Sequence, residues 1–247
     1  MTDRAKIALV TGGSRGIGAR TAATLARQGW DVGISYRERA DVAEDVVDEC
    51  RAAGRRAVAV RADIASSADI AGLFAQVDRE LGALTGLVNN AGIVPSAGAV
   101  AEYTADRLER LFAINVTGAF LAAREAVRRM STARGGSGGV IVNISSRAAV
   151  LGGAGEYVDY AASKAAVDAM TIGLAREVAG EDIRVVGVSP GLIATEIHAP
   201  GRLERLGASP PLGRPGDPQE VANAVAWLIS DEASYVTGAT LDVSGGR

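Results

Sequence analysis

Cysteine and histidine are almost absent from this chain. Cys50 and His198 are the single example of each among 247 residues. One cysteine excludes an internal disulfide and fits a reducing compartment. No cluster of His, Cys, Asp or Glu at ligand spacing suggests a metal site. A dominant charge is lacking too: 26 Lys and Arg against 29 Asp and Glu leave a net −3, and the arginines are scattered. Nothing electrostatic therefore favours nucleic acid or an anionic membrane as a partner. No apolar run approaches the ~20 residues needed to span a bilayer. Strand-like sequence from Lys6 onward leaves no stretch that reads as a leader peptide. A cytoplasmic protein is expected. What is plentiful is apolar sequence, 48% of the chain, and glycine, with 31 residues, enough for a large core with close helix–sheet contacts.

Short apolar runs alternate with helix-length segments. Residues 7–10, 31–35, 57–61, 86–89, 140–144, 184–188 and 240–243 read as seven strands. Most are continuously apolar, which suits a parallel sheet covered on both faces. Residues 17–28, 40–53, 67–81, roughly 105–130, 157–179 and 218–230 read as helices. Ser67 is the expected N-cap of the third, and Gly29 and Gly54 stand where helix C-terminal glycines belong. The alternation predicts an α/β fold of one domain over 1–247, a doubly wound parallel sheet with helices on both faces. Two stretches interrupt it. Gly135-Gly136-Ser137-Gly138-Gly139 reads as a flexible surface loop. Residues 192–217 lack strand character and contain Pro200, Pro210, Pro211 and Pro215, which predicts a substrate lid.

The first strand runs into Thr11-Gly12-Gly13-Ser14-Arg15-Gly16-Ile17-Gly18 and straight on into a helix. Gly12, Gly16 and Gly18 permit a tight turn and the close approach of a pyrophosphate, whose charge the helix N-terminus stabilises. NAD-binding proteins commonly place a carboxylate at the end of the second strand to hold the ribose hydroxyls. Here that point carries neutral Tyr36, with Arg37 beside it. Arg37 together with Arg15 would favour a 2′-phosphate through charge-assisted hydrogen bonds, so NADP (NADPH) is expected ahead of NAD. Glu38, able to accept a ribose hydroxyl, keeps NAD open. Asp63 and the Ile64 backbone, after the third strand, are candidates for contact with adenine, the alternative for Asp63 being an ordinary turn aspartate.

Tyr160 and Lys164 stand four positions apart in GEYVDYAASKAA. On a helix this spacing puts both on one face. A phenol with pKa ~10 exchanges protons poorly at neutral pH, and an adjacent cation lowers that value. Taken alone, such a pair usually marks a solvated helix face. Here it follows Asn89-Asn90-Ala91-Gly92, Asn115 and Ser146, and precedes Pro190-Gly191 and Leu241-Asp242-Val243-Ser244-Gly245-Gly246.

With these motifs in this order the chain resembles the short-chain dehydrogenase/reductase family over essentially its whole length. It is similar to the branch that includes 3-oxoacyl-carrier-protein reductases and glucose 1-dehydrogenases. The resemblance implies a Rossmann-type sheet and a catalytic set of Asn115, Ser146, Tyr160 and Lys164. Ser146 would hold the substrate oxygen and Tyr160 exchange the proton. Lys164 would bind the nicotinamide ribose while depressing the tyrosine pKa, and Asn115 would hold a relay water. Asn89, Ala91 and Gly92 would line the cofactor, Pro190 and Gly191 would shape its nicotinamide side, and Thr195 would reach the carboxamide or phosphate. A homotetramer is also implied.

Two features depart from the family pattern. Ser146 and Tyr160 are fourteen positions apart, one more than usual, which keeps Ser145 open as the serine. Val186 stands where asparagine is frequent. Tyr157 competes with Tyr160 by type but has Ala161 four residues on, in place of a lysine. His198 is expected to be an exposed loop residue. The chain thus reads as an NADP(H)-dependent oxidoreductase of ketones or secondary alcohols, with a 3-oxoacyl or related carbonyl compound ahead of a sugar oxidised at its anomeric carbon. A non-catalytic dinucleotide-binding regulator is the reading from another class, and the presence of all four catalytic-type residues weighs against it.

Overall fold

In a computed structural model, which describes residues 5–198 and 201–247, seven strands form one wholly parallel sheet. They are β1 (Ile7–Val10), β2 (Asp31–Tyr36), β3 (Ala57–Arg61), β4 (Gly86–Asn89), β5 (Gly139–Ile144), β6 (Ile183–Pro190) and β7 (Thr240–Val243). Their spatial order is β3-β2-β1-β4-β5-β6-β7. The chain starts in the middle, winds outward to β3, then crosses back to β4 and winds the other way. The order therefore reverses between β1 and β4, and a crevice opens at their C-terminal ends.

The continuous apolar runs are explained by cover on both faces. Every residue of β1, β4 and β5 is buried. One face packs on α1 (Gly16–Arg27), α2 (Ala40–Ala52) and α9 (Pro218–Ile229) through Leu25, Val46 and Val225. The other packs on α3 (Ser67–Leu81), α5 (Ala119–Met130) and α7 (Val158–Val178) through Phe74, Ala126 and Val178. Each large apolar side chain so buried contributes roughly 1.5–3 kcal/mol of transfer free energy. The edge strands are less covered: β3 exposes Arg61, and β7 has no fully buried residue.

Helix boundaries follow the expected signals with three corrections. Ser66, rather than Ser67, caps α3, its hydroxyl accepting from the Asp69 N–H at 3.2 Å. The helix expected over 105–130 is broken into α4 (Ala105–Phe112), a π-helical turn (Ala113–Gly118) and α5. The region after β6 is not wholly irregular. It contains α8 (Arg202–Leu206), and Ile193 bridges in parallel to Gly216. A further short helix, α6 (Ala148–Leu151), follows β5. Asp217 and Glu220 form a capping box at α9. Ala199 and Pro200, inside the expected lid, lie outside the described residues. No helix among the described residues is long and apolar enough to cross a membrane.

Candidate active site

The glycine turn is held from both sides. The Gly12 N–H donates to the Ser35 hydroxyl at 3.0 Å and the Gly13 N–H to the Ser35 carbonyl at 2.9 Å. From the β4 side, Asn90 Nδ2 donates to the carbonyls of Thr11 and Gly12. Gly12 has φ +61°, a conformation costly for any side-chain-bearing residue. A Cβ at Gly18 would run into the Gly12 carbonyl oxygen and lie 2.6 Å from the Asn90 amide. α1 thus begins hard against the turn, and its N-cap Arg15 supplies no side-chain cap. The first N–H groups and the positive end of the helix dipole therefore face the cleft. Ile17 lines the cleft, and Thr195 comes close to the Gly16 end of the helix.

The second-strand end holds charges of both signs. Arg37 lies 3.3 Å from Glu38 and 3.9 Å from Asp63, and more than half of its side chain is exposed. Arg15 lies 3.8 Å from Glu196. Asp63, expected at the adenine, is committed within the protein. Its carboxylate accepts from the Ala65 N–H at 2.9 Å and from Arg110 at 3.0 Å. Burial opposes its ionisation, but these donors prevail and hold its pKa below the ordinary carboxylate value. Ile64 is buried, its backbone against Gly118.

Four side chains from three elements meet at the other end of the cleft. Strand β5 delivers Ser145 and Ser146, and their alternation sends them to different partners. Ser146 stands beside the Tyr160 phenol and opposes the rise that burial brings to its pKa, whereas Ser145 Oγ donates to the Lys164 carbonyl at 3.3 Å. Tyr160 and Lys164 share one face of α7, with Nζ 5.9 Å from the ring centroid. Lys164 is 95% buried, and its Nζ donates to the Ile144 carbonyl at 2.8 Å. Burial brings its pKa down to about 8 against the opposing influence of Asp168. The expected depression of the phenol by Lys164 is not found. Burial raises the Tyr160 pKa, and Ser146 is what opposes the rise.

Asn115 enters through the π turn. Its amide donates to the Ile93 carbonyl at 3.0 Å and the Ser163 hydroxyl at 3.1 Å, and its Oδ1 accepts from the Ile93 N–H at 2.9 Å. Gly92 lies between it and Lys164: a Cβ there would be 3.3 Å from Asn115 Oδ1 and 3.5 Å from Lys164 Nζ. Pro190, Gly191, Thr195 and Gly92 line the cleft, and Ala91 donates its N–H to the Thr11 hydroxyl.

Several residues stand elsewhere than expected. The Asn89 amide donates to the Ala119 carbonyl and to Asn143, buried between β4, β5 and α5, while Asn90 lines the cleft. His198 is half-buried in the cleft wall with Nε2 2.9 Å from the Ile193 carbonyl, and burial lowers its pKa. The pocket also holds a charge pair that sequence reading missed. Arg202 binds Glu156 at 2.8 Å and lies 4.8 Å over the Tyr157 ring. Burial, with a hydrogen bond to Glu156, pushes the Tyr157 phenol up to about 12.

The chain is similar to known proteins along nearly its whole length. The family model described as enoyl-(acyl carrier protein) reductase matches residues 12–247. The chain is 49% identical over 245 residues to an uncharacterized oxidoreductase of Escherichia coli, YgfF, covering 98% of this chain and 99% of that protein. It is 36% identical over 244 residues to the 3-oxoacyl-(acyl-carrier-protein) reductase FabG of Staphylococcus aureus, covering 98% of this chain and 97% of the relative. A Burkholderia cenocepacia short-chain dehydrogenase solved in complex with NADP matches with TM-score 0.91 at 37% identity, covering 98% of this chain and 97% of that one. A glycine turn before α1, a Tyr–Lys pair on one face of α7 and a serine and an asparagine beside them thus accompany similarity along the whole length: the chain belongs to the short-chain dehydrogenase/reductase family and is an oxidoreductase of that type.

Proposed function

We propose that the protein is an NADP(H)-dependent oxidoreductase of ketones or secondary alcohols, with a 3-oxoacyl or related carbonyl compound as substrate. The observation that carries this is the convergence of Tyr160, Ser146, Lys164 and Asn115 at one end of a cleft whose other end is the glycine turn. A dinucleotide fits the residues present. The turn leaves no room for a side chain at Gly18, the backbone at Gly12 suits glycine, and the uncapped N-terminus of α1 suits a pyrophosphate. Gly12, Ser14, Gly16, Ile17, Gly18, Ala91, Gly92, Pro190, Gly191 and Thr195 would hold it. Arg15 and Arg37 would recognise a 2′-phosphate, in keeping with the NADP-bound relative. When bound, the nicotinamide supplies or accepts the hydride.

The chain's own residues handle the proton. Tyr160 passes it to or takes it from the substrate oxygen, which Ser146 holds by a second hydrogen bond, so charge at that oxygen is not left unsupported. Lys164, with a pKa of about 8 in this environment, is positioned to return a proton toward Tyr160, and Asn115 supports the relay. The segment 192–217 would close over substrate as a lid, slowing hydrogen exchange there in the ternary complex.

The 3-oxoacyl reading draws on the similarity to FabG. The Glu156–Arg202 pair in the pocket wall favours a second reading, a sugar dehydrogenase, since both groups can hydrogen-bond hydroxyls. NADPH oxidation over a panel of 3-oxo esters and ketones, set against NADP reduction over aldoses, decides between them. Turnover in neither direction overturns both.

A further inference from the structure

Arg107 and Asp159 form a buried ion pair directly beside the proposed proton donor. The side chains are 18% and 1% exposed, and the contact is forked, Nε to Oδ2 at 2.8 Å and Nη2 to Oδ1 at 3.3 Å. The sequence offers no hint of the pairing, since 52 positions separate the two residues and Arg107 sits on a strongly amphipathic helix.

Each partner reaches further. Asp159 Oδ1 also accepts the Tyr160 N–H at 2.9 Å, so the carboxylate holds the backbone of the tyrosine itself. Arg107 Nη1 donates to the Ser96 carbonyl at 2.7 Å, in the loop after β4 whose Val94 lines the cleft. The guanidinium lies 4.1 Å over the Tyr103 ring. The Tyr103 hydroxyl accepts the Val158 N–H at 3.1 Å, and the Gly98 N–H donates to the Glu156 carbonyl at 2.9 Å. The start of α7 and Glu156 just before it are therefore joined to the loop 93–103 by two direct hydrogen bonds and, through the Asp159–Arg107 pair, at Ser96 and the Tyr103 ring as well. Among the described residues, no hydrogen bond joins this group to the glycine turn.

We infer that Arg107 and Asp159 are positioning residues: their ion pair fixes the first turn of α7 against the loop 93–103 and thereby sets the place of the Tyr160 phenol relative to a substrate lying between them. A misplacement on the order of 1 Å at a reacting group costs about 100-fold in rate. This rests on the proposed role of Tyr160.

Removing one partner leaves a buried charge unpaired and can unfold the protein, whereas replacing both by apolar residues is often tolerated. The decisive variant is therefore the double replacement Arg107→Met with Asp159→Leu, set beside Arg107→Lys and wild type. Three readings are taken: NADPH affinity by fluorescence titration, kcat and KM with ethyl acetoacetate as the 3-oxo probe, and hydrogen exchange by mass spectrometry. The double variant should bind NADPH as wild type does and lose kcat by about 10- to 100-fold. Exchange should quicken together in peptides covering 93–103 and 156–162, with 11–18 unchanged. Arg107→Lys, which keeps a charge but not the fork, should recover part of kcat. A double variant with wild-type kcat, or exchange that quickens only around residue 107, overturns the inference. Should wild-type protein leave ethyl acetoacetate unreduced, the substrate reading falls, while the exchange comparison still decides for or against the coupling.

Discussion

Asn90 and Thr11 lock the end of β4 to the end of β1. The Asn90 amide donates to the Thr11 carbonyl at 2.9 Å and to the Gly12 carbonyl at 3.0 Å, while the Thr11 hydroxyl accepts the Asn90 N–H at 2.9 Å. This bridge spans the point where strand order reverses, so the shape of the glycine turn depends on it. Asn90→Ala leaves two carbonyls without a partner, a cost of about 1–3 kcal/mol. NADPH affinity should weaken roughly tenfold, at about 1.4 kcal/mol per decade. Fluorescence titration checks this, and undiminished affinity would show that the turn holds its shape without Asn90.

Tyr160 and Tyr157 lie edge to face with ring centroids 6.2 Å apart, yet their surroundings differ. Tyr160 meets Ser146, whereas Tyr157 meets Glu156 and Arg202. Tyr160→Phe should lower kcat by roughly 10²- to 10⁴-fold, the usual worth of a positioned acid–base group, with NADPH binding kept. Tyr157→Phe should retain most turnover. The reverse result in steady-state kinetics would transfer the proton-exchange role to Tyr157.

Arg37 is shared between Glu38 and Asp63, so its charge is partly offset before any ligand arrives. Its worth to a 2′-phosphate should accordingly sit near the lower end of the ~1.5–3 kcal/mol typical of hydrogen bonds to charged groups. Arg37→Ala should weaken NADPH binding about tenfold and leave NADH unaffected. Equal affinities of wild type for the two nucleotides would reject the NADP preference.

The strands and the glycine turn were legible because burial on both faces and a backbone turn leave marks in local composition. What escaped depends on contacts far apart in sequence, or on phase within a strand. Asn89 and Asn90 are the same residue type, and only the alternation at the end of β4 decides which one faces the cleft. Ser145 and Ser146 pose the same problem at β5, and the contact between Ser146 and Tyr160 separates them. The π turn at Asn115 was hidden because one added residue per turn barely disturbs a helical pattern. Glu156–Arg202 and Arg107–Asp159 were hidden because a charged side chain reads as solvated until its partner is known.

Lys164 ties stability to pH. Its pKa of about 8 lies below the ordinary lysine value of 10.5, so between these pH values the unfolded chain holds a proton that the folded protein has released. Stability therefore rises with pH across that window, by up to about 1.4 kcal/mol per pH unit from this group, and the full cost of the buried charge is felt below pH 8. Lys164→Met removes the charge but strips the Ile144 carbonyl of its donor, a loss that does not vary with pH. The melting temperature of Lys164→Met relative to wild type should thus be most favourable at pH 7 and decline toward pH 10. A difference constant with pH, measured by thermal denaturation, would show that Lys164 does not titrate in this window.

Two separate surfaces expose large apolar side chains, and together they bear on assembly. Phe120 on α5 and Ile172 on α7 are 50% and 43% exposed. Trp227 on α9 and Leu241 on the edge strand β7 are 41% and 39% exposed, and Tyr235 between these elements is fully exposed. A surface that meets its own copy across a two-fold axis counts each contact twice, and two such surfaces on one chain generate a tetramer with D2 symmetry. Light scattering at micromolar concentration should therefore report four chains. Phe120→Glu places a charge on the first surface alone and should leave dimers joined through α9 and β7. Trp227→Glu should leave dimers joined through α5 and α7. With both changes the species should be a monomer. Wild-type protein that scatters as a stable monomer excludes the tetramer outright, and a tetramer unaffected by either glutamate places the interfaces elsewhere.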